Sequence, residues 1–124
     1  MFIDAKSSEP IFKQIATQLE DFIFTKIYKE EEKIPSTTEL SLLLNVNPHT
    51  VLKGMNILVD DNIIYKKRGV GMFVSEGAFL KIAKKRKASF VDDYIKNLIT
   101  EAKKLQIESE ELVSLIKKEC DKND

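Results

Sequence analysis

Apolar and polar residues alternate along this chain in distinct rhythms, and each rhythm predicts a different element. Ile11, Ile15, Leu19, Phe22 and Ile23 recur at helical spacing, with Phe12 and Ala16 beside them, which predicts an amphipathic helix. Pro10 suits its first turn, where no backbone donor is needed. That helix is expected to end near Lys26–Tyr28, with the acidic run Glu30-Glu31-Glu32 as a solvated loop. A second helix begins at Ser36. It follows Pro35 and has Glu39 three positions on, so each side chain can satisfy the other residue's free backbone N–H. Leu40, Leu43 and Leu44 carry this helix to a stop near Asn45. Asn47 then caps a third helix with Pro48 at its first position, and Val51, Leu52, Met55, Leu58 and Val59 are expected to face the core. The connection between these two helices is only about three residues, as a helix-turn-helix requires.

Past Asp60-Asp61-Asn62 the period changes. Ile63-Ile64-Tyr65-Lys66 and Met72-Phe73-Val74 are short β-prone runs on either side of Arg68-Gly69-Val70-Gly71. Gly69 and Gly71 permit positive φ at a hairpin tip. A lone hairpin is marginal in water, so this one needs a helical core beneath it. Three helices followed by such a flap make a winged helix. From Ala78 the helical period returns. Phe79, Ile82 and Ala83 form one stripe, and Phe90, Val91, Tyr94, Ile95, Leu98, Ile99, Ala102 and Leu105 form another. Ser89 with Asp92 offers a restart between them, so the pattern allows either one helix or two. Ser109, with Glu110 and Glu111 in the first turn complementing the helix dipole, opens a last helix carrying Leu112, Val113, Leu115, Ile116 and Cys120. The expected fold is mainly α with a small β-hairpin: a winged helix-turn-helix over residues 1–76, then a helical dimerisation segment over 77–124.

Composition narrows the function classes. With 124 residues and 43 % hydrophobic content, the chain suits one globular domain with an appendage. No apolar run approaches the roughly 18–20 residues of a membrane span, and Met1-Phe2-Ile3-Asp4 lacks a signal peptide's basic start, so no membrane association is expected. The single Cys120 excludes an internal disulfide and an all-cysteine metal cage; it reads as a core cysteine, and a reducing cytoplasm is the expected compartment. Lys+Arg and Asp+Glu balance at 20 each, which counts mildly against nucleic-acid binding. Residues 1–75 hold nine basic and ten acidic groups and residues 76–124 eleven and ten, so any positive surface must come from arrangement. Lys66-Lys67-Arg68 and Lys84-Lys85-Arg86-Lys87 are the local basic runs, the second resembling an ordinary solvated helix face.

The chemistry concentrates at the start of the third helix. In a helix-turn-helix the second helix of the motif enters the major groove with its N-terminal residues nearest the bases. Here those are Asn47, Pro48, His49 and Thr50, with Lys53 a turn later and Asn56 continuing the outward face. Asn can bond an adenine edge, Lys a guanine edge or a phosphate, and His or Thr a phosphate. No acidic residue occurs between Asn47 and Asn56, which suits approach to a polyanion. Taken singly, Asn47 is also an ordinary cap and His49 an ordinary first-turn residue. Lys66, Lys67, Arg68 and Gly69 offer a wing contact, and Ser36 and Thr38 lie near the backbone side of the same site.

The order of these pieces resembles the GntR family of bacterial transcription regulators, most closely its short YtrA-like subfamily. The matching residues are Pro10-Ile11-Phe12-Lys13-Gln14-Ile15, Ile34-Pro35-Ser36 with Glu39-Leu40, Asn47-Pro48-His49-Thr50-Val51 and Arg68-Gly69-Val70-Gly71-Met72-Phe73-Val74, together spanning about residues 2–75. The resemblance implies a dimeric, repressor-like protein on a palindromic operator, with dimerisation through C-terminal helices. Two positions depart from the family pattern. Thr38 stands where an Arg usually contacts DNA, and Gly54 where Ala is usual; mid-helix Gly costs about 1 kcal/mol relative to Ala.

Other functions fare worse. One His and one Cys far apart, scattered carboxylates, and the lack of a phosphate-binding glycine loop or metal-ligand spacing argue against an enzyme, a metal site or a cofactor. A winged helix used as a protein-interaction module is the main alternative, favoured slightly by Thr38 and the neutral charge. For single-stranded RNA the wing offers only Tyr65 and Phe73, the latter expected in the core. The tail can bury one seam rather than a private ligand pocket, so Phe90, Tyr94, Leu98, Leu112 and Ile116 are read as a dimerisation surface, and no sequence marker identifies a small-molecule effector. The expected partners are therefore a double-stranded DNA operator and a second copy of the chain.

Overall fold

The computed structural model describes residues 1–123. They divide into two compact units, Met1–Lys84 and Lys85–Asp124.

In the first unit, α1 (Ile11–Phe24), α2 (Thr37–Leu44) and α3 (Pro48–Asp60) precede an antiparallel hairpin of β1 (Ile64–Lys67) and β2 (Gly71–Val74). Local chemistry sets the helix boundaries. The Ser36 hydroxyl accepts from the Glu39 N–H at 3.0 Å while the Glu39 carboxylate accepts from the Ser36 N–H at 3.2 Å, so the expected reciprocal cap forms. Asn45 ends α2 in the left-handed region at φ 53°, which asparagine tolerates. The Ser41 hydroxyl ties down the following turn by donating to the Val46 carbonyl at 2.6 Å. The Asn47 side chain then accepts from the His49 N–H at 2.8 Å, and Pro48 opens α3. Helix α1 ends at Phe24, slightly earlier than its apolar period implies, because Lys26 turns to φ 65°.

The core is built from Ile15, Leu19 and Ile23 of α1, Leu40 of α2, Val51, Met55 and Leu58 of α3, and Ile63, Ile64 and Val74 of the hairpin. Burying such side chains stabilises by about 1.5–3 kcal/mol each before chain entropy is counted. Gly54 lies where α3 crosses α1: a Cβ there would come within 2.6 Å of the Phe12 carbonyl oxygen. The helical period overestimates what faces inward. Leu43 is 73 % exposed and Leu52 41 % exposed. Val51, Met55 and Leu58 already complete the inner stripe of α3, and Leu52 sits about 100° around the helix from Val51.

The acidic run is not a free loop. Glu31 N–H donates to the Val74 carbonyl, Val74 N–H to the Glu32 carbonyl and Ile34 N–H to the Met72 carbonyl, each at 2.9 Å. The segment thus runs along β2 through these bonds and an isolated antiparallel bridge between Lys33 and Phe73, without forming a full strand. The Glu31 carboxylate accepts from the Tyr65 hydroxyl at 2.9 Å, and the Glu30 carboxylate accepts from the Gly77 N–H just before α4 (Ala78–Phe90). The opening residues are likewise pinned. Gln14 and Gln18 of α1 exchange hydrogen bonds with the backbones of Asp4 and Phe2. Ala78 and Ile82 in the first turns of α4 complete the core.

In the second unit the helix of α4 passes without a break through a π turn at Val91–Ile95 into α5 (Lys96–Lys104), which answers the choice left open at Ser89. After a turn containing Gln106 at φ 58°, α6 (Ser109–Lys122) follows. Among its described residues only Ala102 is buried. Cys120, expected in a core, is exposed, because this unit alone has no second layer to cover it. No helix among the described residues is long and apolar enough to cross a membrane.

Candidate nucleic-acid interface

Three elements converge on one face of the first unit. Asn47, Pro48 and His49 stand exposed at the N-terminal end of α3, with Thr50 half-buried behind them. Along the outward line of the same helix follow Leu52 and Asn56, both exposed. Ser36 and Thr38 from the start of α2, and Lys66 from β1, reach the same place. With Leu52, Asn56 and Met72 they line a groove of about 460 Å³. The free N–H groups and dipole of a helix start favour anions there. Ser36 accepts a hydrogen bond within its cap, but its hydroxyl proton remains available to donate. Thr37 is committed elsewhere, its hydroxyl donating to the Met55 sulfur at 3.5 Å and fastening α2 to α3.

The other basic candidates lie outside this groove. The Lys53 ammonium sits 4.1 Å from the centre of the Phe12 ring, a cation–π contact on the α1 side of the helix. Lys67 rests over Phe73 at 4.5 Å. Arg68 and Gly69 are exposed at the wing tip, with Gly69 at φ 77° and clear space around it. Phe73, expected in the core, is half-buried: Tyr65 stacks on one side of it at 5.9 Å between ring centres. Hydrogen bonding to Glu31, aided by burial and the negative charge, raises the Tyr65 pKa above its ordinary 10.0. Both wing aromatics are therefore engaged within the fold.

The tail residues divide similarly. Leu98, Leu112 and Ile116 line one apolar groove between α5 and α6, together with Ala102, Leu105 and Cys120, enclosing about 440 Å³. Phe90 and Tyr94 lie apart from it as an exposed pair at the π turn, 5.3 Å between ring centres. The residue that sequence periodicity missed in this groove is Leu52, assigned to the core because an unbroken Val51-Leu52 pair reads as apolar stripe. Its signal was geometric: Val51, Met55 and Leu58 already form an inner stripe at three- and four-residue spacing, and Leu52 lies off it.

A winged helix whose reading helix presents an acid-free first half beside a helix start and a basic wing defines a DNA-binding transcription regulator. Residues 11–74 match the model of the bacterial regulatory proteins of the gntR family. Over 115 residues the chain is 35 % identical to the HTH-type transcriptional repressor YtrA of Bacillus subtilis (strain 168), covering 93 % of this chain and 88 % of that protein. Among solved structures, a GntR family transcriptional regulator from Listeria monocytogenes superposes with a TM-score of 0.66 at 30 % identity, over 91 % of this chain and 97 % of that one. The DNA-binding domain of AraR in complex with an operator superposes with a TM-score of 0.55 at 27 % identity, over 60 % of this chain and 93 % of that domain. The chain belongs to the GntR family, and within it is similar to YtrA.

Proposed function

We propose that this protein is a transcriptional repressor that binds an inverted-repeat operator as a homodimer. Helix α3 enters the major groove, the wing over residues 66–71 lies on the adjacent backbone or minor groove, and the helices of residues 77–124 join the two copies. The observation carrying this reading is the convergence of Ser36, Thr38, Asn56 and Lys66 on one groove beside the exposed start of α3. Asn47, Pro48, His49 and Thr50 meet base edges and phosphates at the helix start, Ser36 and Thr38 donate to the backbone, and Lys66 to Gly69 hold the wing contact. Thr38 supplies one neutral hydrogen bond from a short side chain, where an arginine would reach farther and supply two charge-assisted ones.

An identity of 35 % to a repressor over nearly the whole chain supports the regulatory role, and the exposed groove between α5 and α6 supports the pairing of two chains. A two-fold dimer places its reading helices about one DNA turn, or a multiple, apart, so the two half-sites are inverted. Selection of random duplex DNA with the purified protein, with the bound species sized by light scattering, tests this. Recovery of an inverted repeat carrying two chains is the expected result. If nothing is enriched and binding is absent even at low salt, the winged helix serves protein interaction instead.

A further inference from the structure

We propose that Leu52 reads thymine: its side chain packs against the 5-methyl group of one thymine in each operator half-site. This assignment rests on the DNA-binding reading above. Leu52 is 41 % exposed on α3, three residues after His49 and four before Asn56, so these side chains share the helix's outward line. Lys53, the adjacent cation, is turned onto the Phe12 ring, which leaves Leu52 and Asn56 at the centre of the face. Thr38 and Lys66 line the same groove as Leu52, and half-buried Val59 and Met72 add to its apolar lining.

A single exposed leucine is ordinary on a protein surface. This one lies in a groove that a lysine, threonines and an asparagine also line, on a helix stretch free of carboxylates from Asn47 to Asn56. In the major groove, the one apolar group that a base edge presents is the methyl of thymine. Lys66 on a phosphate and Asn56 on a neighbouring base edge would hold the duplex on two sides of Leu52, so the leucine meets a base edge rather than open solvent. An apolar residue at this place cannot bond guanine, so it favours an A·T pair oriented with its methyl toward α3.

The test replaces each thymine of the selected operator in turn by deoxyuridine, which removes the methyl and keeps the base pairing. At one position per half-site, wild-type protein is expected to lose about fourfold in affinity, the worth of one buried methyl-sized group. Leu52→Ala is expected to bind the thymine and deoxyuridine duplexes equally, and Leu52→Met to keep the preference. Thermal melting of both variants establishes that an exposed position has been changed without loss of fold. A uniform response across all thymines, or a methyl preference that persists in Leu52→Ala, overturns the assignment while leaving the DNA-binding reading intact. Absence of binding to any duplex overturns both.

Discussion

Gly54 shows how a residue that looks unfavourable in one element is required by the packing of two. As a mid-helix glycine it costs α3 about 1 kcal/mol relative to alanine. Yet a Cβ at this position would lie 2.6 Å from the Phe12 carbonyl oxygen and 3.2 Å from the Ile15 side chain. The obstructing atom is backbone, so α1 and α3 would have to separate, and overpacking of this kind costs about 1–3 kcal/mol. Gly54→Ala is therefore expected to lower stability by roughly 1 kcal/mol net, despite its better helix propensity. Equilibrium denaturation measures this; a raised midpoint would mean that the helices part more easily than their contact implies. The two lysines proposed to contact DNA are separable by substitution. Lys66→Ala is expected to weaken binding to all duplexes about equally and to reduce the salt dependence by about one ion per chain, as loss of a phosphate contact does. Lys53→Ala is expected to weaken operator binding as well, since its ammonium can leave the Phe12 ring for DNA. Unchanged affinity at moderate salt would limit Lys53 to bracing α3 against α1.

At the scale of elements, what was legible in the sequence was what depends on neighbours in sequence. The Ser36–Glu39 box, the Asn47-Pro48 start and the glycine tip of the wing act within a few residues, and each formed as its local chemistry implied. The docking of Glu31–Ile34 along β2 and the pinning of Asp4 by Gln14 were not legible, because their partners are distant backbone groups that no local period encodes. Of the groove's lining, the sequence singled out Ser36, Thr38, Asn56 and Lys66 but not Leu52, nor did it show that Lys53 and Lys67 lie over aromatic rings, since composition alone does not say on which side of an element a residue falls. Asn47 caps α3 and is proposed to meet DNA, and a substitution can part the two roles. Asn47→Asp keeps an acceptor for the His49 N–H and places negative charge at a helix N-terminus, which favours folding. The same charge would face the phosphates. Thermal stability at least equal to wild type, together with loss of most duplex binding in a mobility-shift titration, is the expected pair of results. Retained binding would remove the start of α3 from the interface.

For the whole molecule, the second unit is the part whose structure calls for something beyond one chain. Its helices expose Leu98, Ile99, Leu105, Val113, Leu115 and Ile116, and the groove that Leu98, Leu112 and Ile116 line is open along its length. Some 40 residues with one buried side chain among those described do not make a self-sufficient core, whereas two such units facing each other would make a single shared one. A standard interface buries about 800 Å² per partner, within reach of two helices of this length. Ile116→Glu introduces a charge on the groove wall that has little to disturb in the single chain and would be buried unpaired in a dimer. The expected outcome is a monomer by light scattering, with the first unit still folded by circular dichroism. Binding of that monomer to one half-site should match wild type, because the reading surface is untouched. Binding to the full inverted repeat should fall by about a hundredfold or more, the advantage lost when two linked sites become independent. If Ile116→Glu stays dimeric, the pairing surface lies elsewhere, and the exposed Phe90–Tyr94 pair at the π turn is the next place to put the charge.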